Sequence, residues 1–277
     1  MKITVLVDNR ASDVLLETEH GLSIYLEIQN CKCLLDTGDT DLFIRNAAKL
    51  GVDLTDVDYV FISHGHFDHL GGLPFFLKMN SKAKIVISTF AINQHFFSRR
   101  TGFREIGVKV DLSEYMDRFV FVKREAIFMN GSIRVLSADS KKYPFPKGNS
   151  TLYKDAGKGL EQDDFNHELI VFFPEDAGLV FTGCGHKGVL NILDTVKERT
   201  LFNVKNVIGG FHLLDNKGLH QFEDENDLNE IADVMRAEYK DVHFFCGHCT
   251  GELAYSVLKE RLGDQLTPFY TGFTIDL

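Results

Sequence analysis

Apolar positions along the chain follow two spacings that take turns. Residues 2–8, 22–28 and 32–36 are short runs, β-branched or alternating, separated by Gly or Asn turns; this predicts three strands. Residues 41–50 place Leu42, Ile44, Ala47, Ala48 and Leu50 on a helical spacing that stops near Gly51. The near-continuous apolar run at 59–63 predicts a strand buried on both faces. Gly71-Gly72-Leu73-Pro74 then opens a second helical stretch, Pro74 being acceptable in a first turn. Strands follow at 84–88, 119–122 and 132–137. Beyond residue 167 the alternation resumes, with strands at 169–173, 179–182, 205–208 and 242–246 and helices near 188–197, 227–239 and 251–261. There is no tandem repeat, yet both halves run from strands into strand–helix alternation. That predicts two similar α/β halves packed sheet to sheet.

Residues 139–167 break this rhythm. Pro144, Pro146, Gly148, Gly157 and Gly159 punctuate a polar stretch too long for a simple connection, which predicts a functional lid or an insertion. Lys141, Lys142, Lys147, Lys154 and Lys158 crowd it, and read either as a lid that meets a phosphate or as a solvated loop.

Composition narrows the class. The 277 residues are 44% apolar and 25% charged, enough for a large core in a globular protein. A formal charge of −10 argues against a nucleic-acid or anionic-membrane surface, while leaving room for a local basic pocket. Residues 1–8 read as a first strand and not as a signal peptide, and no run approaches the roughly 18 apolar residues of a membrane span. Five cysteines, an odd number, do not suggest a disulfide scaffold, so a cytoplasmic location is expected.

Residues 62–73 carry the candidate chemistry: I-S-H-G-H-F-D-H-L-G-G-L. Three of the chain's 11 histidines and one aspartate, His64, His66, Asp68 and His69, fall within six positions just past a predicted strand. Imidazole, carboxylate and thiolate are ligands for divalent transition metals. The glycine in His64-Gly65-His66 lets both rings leave a strand-end loop toward one ion, and Asp68 and His69 follow on the next turn toward a second. Two ions about 3.5–4 Å apart can share a hydroxide and clamp both ends of a displacement. The plainer readings, a polar surface loop or a single structural ion, leave four ligand residues at one strand end to coincidence. Further ligands must come from distant sequence. Thr182-Gly183-Cys184-Gly185-His186, Gly209-Gly210-Phe211-His212 and Gly247-His248-Cys249 each end a predicted strand, where ligand sites gather in open α/β sheets.

On these motifs the chain resembles the metallo-β-lactamase superfamily over nearly its whole length. His64-x-His66-x-Asp68-His69 matches one of its more specific signatures, and Leu34-Leu35-Asp36-Thr37-Gly38 matches its first motif. The resemblance implies an α/β fold, a four-layer αβ/βα sandwich in a single domain over residues 1–277, with two metals at the sheet edges. It gives His64 and His66 to one metal, and Asp68 and His69 to the other. It puts Cys184 where most hydrolases of the fold have a bridging aspartate, and His212 about where a final histidine ligand stands. His69 argues against antibiotic hydrolysis, because true lactamases usually lack it. The combination TGCGHKG, GGFHL and HCTG is similar to the branch called dihydropteroate-synthase-like, whose members are often named 7,8-dihydropterin-6-yl-methyl-4-(β-D-ribofuranosyl)aminobenzene-5′-phosphate synthase. The missing ligand of the first metal is His186 by the Cys-x-His pairing, or His167 by its place one strand earlier. His248 is a ligand, a substrate-contacting acid or a polar residue at a helix start.

The expected protein is a metallohydrolase with two divalent ions, zinc first and iron or manganese next. A bridging hydroxide would attack a carbonyl or phosphoryl group of a small molecule, phosphorylated or pterin-related, with Asp68 both ligating and orienting the nucleophile. Two other readings compete: thiol exchange at Cys246-x-x-Cys249, and a metal-binding module without turnover. Asp36-Thr37-Gly38 also spells the aspartic-protease triplet, but that chemistry needs a second copy, which the chain lacks. Asp36 is read instead as a residue that orients a metal-bound histidine. Cys31 and Cys33 are read as strand residues without a special role.

Overall fold

The computed structural model describes residues 1–277 except 93, 110, 112, 156, 176 and 215–221. The first half supplies β1 (Lys2–Val7), β2 (Ser23–Ile28), β3 (Cys31–Leu35), α1 (Leu42–Leu50), β4 (Tyr59–Phe61) and α2 (Phe67–Leu70). It continues with α3 (Leu73–Met79), β5 (Lys84–Ser88), β6 (Phe96–Ser98), β7 (Arg104–Glu105) and β8 (Phe119–Val122). The second half supplies β9 (Glu125–Phe128), β10 (Ile133–Ser137), β11 (Leu152–Asp155), β12 (Leu160–Gln162), β13 (Leu169–Phe173), β14 (Leu179–Phe181) and α4 (Val189–Arg199). It ends with β15 (Asn206–Gly209), α5 (Glu225–Glu238), β16 (His243–Cys246), α6 (Glu252–Leu262), β17 (Leu266–Pro268) and β18 (Thr274–Asp276).

Two seven-stranded sheets form, in the orders β18-β1-β2-β3-β4-β5-β8 and β17-β16-β15-β14-β13-β10-β9. Each is antiparallel on one side and parallel on the other, as in β3–β4–β5 and β14–β15–β16. Parallel strands need cover on both faces, and the buried side chains sort accordingly. Ile24, Leu26 and Leu35 meet Val171, Phe173 and Phe181 in a core between the sheets. The neighbouring residue Leu34 points the other way, as the pleat requires, and packs with Phe43, Leu73 and Phe76 of α1 and α3. On the far side Val180, Val207 and Phe244 receive Ile192, Met235 and Leu258 from α4, α5 and α6. The order helix, sheet, sheet, helix is the sandwich that the sequence implies. Among the described residues no helix is long and apolar enough to cross a membrane.

A third sheet, β12-β11-β6-β7, has no counterpart in the sequence reading. Residues 139–167, expected to be a lid or insertion, contribute half of it; position 156 lies outside the described residues. Of the two readings of the lysines in this stretch, a phosphate-meeting lid or a solvated loop, the second agrees with the partners they have. Lys142 reaches Glu238 at 3.1 Å, Lys154 reaches Asp164 at 2.7 Å, and Lys147 pairs with Asp227. Lys141 and Lys158 are exposed. Three of the five charges are spent on carboxylates away from the histidine cluster.

Candidate metal centre

The His64–His69 stretch leaves the carboxyl end of β4, and packing fixes its course. A Cβ at Gly65 would lie 2.6 Å from the Ala91 carbonyl oxygen and 2.7 Å from the Phe96 ring, so only glycine fits between the two histidines. Backbone hydrogen bonds hold the rest: Leu22 N–H donates to the Asp68 carbonyl at 3.1 Å, Thr37 N–H to His69 at 2.8 Å, and Phe67 N–H to Ile106 at 2.9 Å. On the other sheet, β14, β15 and β16 deliver Cys184 and His186, His212, and His248 and Cys249. Gly183 sits at φ +60, and a Cβ there would come within 2.3 Å of Ser63 Oγ; this close approach brings the Cys184 loop against His64.

Hydrogen bonds then assign the ring protons. Ser63 Oγ donates to Asp36 Oδ2 at 2.6 Å, so it can only accept from His64 Nδ1, 2.9 Å away. His69 Nδ1 donates to Asp36 Oδ2 at 2.6 Å, His186 Nδ1 to Asn149 Oδ1 at 3.1 Å, and His248 Nδ1 to Asn9 Oδ1 at 3.2 Å. Each of these four rings spends Nδ1–H on an oxygen and turns Nε2 inward. The Nε2 atoms of His64, His66 and His186 are buried with no hydrogen-bond partner. His69 Nε2 lies 3.1 Å from both Cys184 Sγ and His248 Nε2. Donor atoms of Asp68, His69, Cys184 and His248 lie within 4.8 Å of one another, as do those of His64, Cys184 and His186, and of His64, His66 and Asp68. Buried nitrogen lone pairs without a donor are costly, and a cation removes that cost.

Of the seven ligands read from sequence, His64, His66, Asp68, His69, Cys184 and His186 converge here. His212 does not join the Asp68 side. It forms a further group of possible ligands with Cys184 and Cys249, its ring 4.0 Å from that of His186 and both its nitrogens buried without a hydrogen-bond partner, and His248 stands beside Asp68 and His69. The nitrogens of His167 and His186 differ in their partners, although His66, Asp163 and His167 also form a group with ligand atoms within 4.8 Å of one another. His167 Nδ1 accepts from Gly65 N–H at 3.0 Å and Nε2 donates to Asp163 at 3.1 Å, so neither is free. His186→Ala is therefore expected to lower the metal content by about one ion per chain, whereas His167→Ala keeps the metals and costs about 1–3 kcal/mol of stability. Elemental analysis beside thermal melts separates the two; equal metal loss in both variants would count against the assignment. The CxxC pair is split as well, Cys246 in the core under α4–α6 and Cys249 beside Cys184 and Leu214.

A family model of the metallo-beta-lactamase superfamily matches residues 17–202. The chain belongs to that superfamily. An uncharacterized protein of Methanocaldococcus jannaschii is 29% identical over 260 residues, which covers 93% of this chain and 94% of the relative. Another protein of the same organism, 7,8-dihydropterin-6-methyl-4-(beta-D-ribofuranosyl)-aminobenzene-5'-phosphate synthase, is 26% identical over 270 residues, 92% of this chain and 89% of the relative. The crystal structure of a metal-dependent hydrolase of the beta-lactamase superfamily superposes with a TM-score of 0.81 at 29% identity, covering 100% of this chain and 99% of that one.

The electrostatics of this superfamily site suit divalent ions. Burial, and then the neighbouring histidines, hold His64 and His186 well below the ordinary imidazole range, so both rings are neutral donors. Burial works against the Asp68 carboxylate, but His69, His248 and His20 outweigh it and keep Asp68 ionised. His248 is raised to about 9: Cys249 and Asp68 overcome the burial that opposes its charge. With Nδ1 already donating, that proton sits on Nε2, where a metal ion would displace it.

Around the donors lies a small cleft with about 40 Å³ of space open to water. Several of its supports escape sequence reasoning. His20 stacks on His248 with ring centres 5.2 Å apart and brings Nε2 to 3.3 Å from Asp68 Oδ2. Glu168, fully buried, accepts from the backbone N–H of His186 and Lys187 at 2.7 and 2.8 Å and so fixes the His186 loop. Asn9, Asn149 and Glu168 stand outside any short motif, and only the folded chain brings them to the site.

Proposed function

We propose that this member of the superfamily is a binuclear metallohydrolase. His64, His66, His186 and Cys184 would hold one divalent ion, and Asp68, His69, His248 and Cys184 the other. The observation that carries this reading is the direction of four imidazoles: Nδ1 is tied to an oxygen in each, and Nε2 faces the shared space with a thiol and a carboxylate. Zinc suits these donors first, with iron or manganese next. Bound there, the ions would supply hydroxide near neutral pH and offset the charge that develops on the reacting oxygen. The chain does the rest. Asp36, Ser63, Asn149 and Asn9 set the ring orientations, Asp68 orients the nucleophile, and the cleft walls limit access of bulk water. The electrophile is a carbonyl or phosphoryl group of a small molecule, and residues 1–277 act as one catalytic unit.

The synthase relative favours a second reading, in which a pterin-related electrophile meets an attacking group other than water. Protein purified without chelator or His-tag is expected to carry about two ions per chain by elemental analysis. It should hydrolyse at least one of a phosphodiester, a lactone and a thioester, and lose that activity with the metal. Absence of metal, even after reconstitution, overturns the proposal. Two ions without hydrolysis in any class would favour the synthase-like reading or a metal-binding module.

A further inference from the structure

The cations that face the metal centre come from the β6–β7 hairpin. Arg100 and Arg104 line the cleft together with His66, Asp68, Cys184 and His186. The third arginine of this stretch, Arg99, is used for packing: its guanidinium lies 4.7 Å from the Tyr153 ring centre and 5.8 Å from that of Phe103. Arg104 lies 5.6 Å from the ring centre of Phe67, which directly precedes Asp68. Among the described residues neither Arg100 nor Arg104 has a carboxylate within ion-pair distance. Elsewhere Arg10, Arg45, Arg134, Arg199 and Arg261 reach carboxylates and Arg118 is spent on backbone carbonyls and Asn80. A chain with 40 acidic residues and a net charge of −10 thus leaves two guanidinium groups unpaired beside its metal-ligand cluster.

Their placement is set by backbone pairing. Ser98 pairs with Arg104 and Phe97 with Tyr153, which joins the hairpin to β11, and Gly107 bridges to His66 itself. The position of Arg104 relative to the histidine cluster is therefore a property of the sheet, while Arg100 lies in the turn of the hairpin, bridged to Gly102. Guanidinium is the side chain best matched to a phosphate, offering paired N–H donors in one plane, and two such groups match the nearly two negative charges of a phosphate ester at neutral pH. Phe67, Ile106, Leu152 and Leu214 give the same cleft an apolar flank.

We propose that Arg100 and Arg104 form an anion subsite, set beside the metal centre, for a phosphate group carried by the substrate. The proposal deepens the metallohydrolase reading and rests on it for the reacting bond. It names the substrate class: a phosphorylated small molecule with an apolar or aromatic body, whose phosphate anchors it while a different group reacts at the metals.

Calorimetric titration of the metal-loaded protein with phenylphosphonate tests this, because that dianion carries an aromatic ring and cannot be hydrolysed. The affinity is expected to fall about tenfold to a hundredfold in the Arg100→Ala/Arg104→Ala variant and to recover in part in Arg100→Lys/Arg104→Lys. Added salt should weaken binding to the wild type more than to the alanine variant. Equal affinity in wild type and alanine variant overturns the subsite, since the metals alone would then hold the anion. If the alanine variant misfolds, the lysine pair, which keeps the charge, decides between these outcomes through the salt dependence of its binding. Assays on neutral 4-nitrophenyl esters keep the two proposals apart. Arginine-dependent phosphonate binding without turnover supports the subsite and removes the hydrolase reading. Metal-dependent turnover with arginine-independent binding does the reverse.

Discussion

Cys184→Ala is expected to lose both ions and the activity together. Its sulfur lies 3.1 Å from His69 Nε2 and belongs to the donor groups of both proposed ions, with His64 and His186 on one side and with Asp68, His69 and His248 on the other. Burial, and after it Cys249, raises the thiol well above its ordinary range, so without metal it stays protonated; binding must displace that proton. Removing the sulfur would leave both donor groups one ligand short. Bound metal should fall from about two per chain to below one, and kcat by at least 10²–10³-fold, on the order of the loss when one preorganised electrostatic group is removed. Asp68→Ala should instead strip chiefly the ion on the His69 side. Cys184→Asp, which offers a carboxylate in the same place, should recover most of the metal. Two ions per chain in the alanine variant would sink the shared-ligand assignment.

The second large effect is expected from Asp36→Asn, a change that touches no metal. Asp36 is fully buried and accepts from Ser63 N–H at 2.7 Å, Ser63 Oγ at 2.6 Å and His69 Nδ1 at 2.6 Å. Its backbone lies at φ +58, which asparagine tolerates better than alanine, so the substitution isolates the chemistry from the strain. The amide keeps one acceptor oxygen and turns a donor toward groups that are themselves donors. His64 loses its orientation through Ser63, and His69 loses it directly. Metal affinity should drop by about 10–100-fold, read by competition with a coloured chelator, and stability by about 1–3 kcal/mol. Unaltered affinity beside the lowered melting temperature would mean that Asp36 supports the fold without tuning the ligands.

How far the sequence reaches is set by the range of the interactions. The central strands were legible because burial on both faces writes itself as a continuous apolar run, and residues 84–88 and 169–173 match the observed strands at both ends; residues 119–122 also match, although that strand is an edge with Phe121 exposed. His64, His66, Asp68 and His69 were legible because a local loop presents four ligands at once. The small sheet was not, since β7 has two residues and β12 three, all exposed, and pair only with other parts of that sheet. The same limit explains His212. Its GGFHL motif ends a strand as expected, and its ring lies by Cys184, Cys249 and His186, while His248, one strand farther along the sheet, stands beside His69. Tautomers lie further out of reach. Nothing in the local sequence says that Asn149 accepts from His186 or that both His167 nitrogens are taken.

The donors are divided between the two halves of the chain. His69 and Cys184 are 115 positions apart, and His69 and His248 are 179 apart. An ion held by both sets is then a tether across the sandwich, comparable to a disulfide that closes a very long loop, except that it opens on chelation instead of reduction. Such a tether acts mostly on the unfolded chain, whose freedom it restricts, and loop closure over that span is worth about 4–5 kcal/mol in the chain-entropy model. The same two ions that would drive the chemistry would thereby decide whether the halves come apart singly or together.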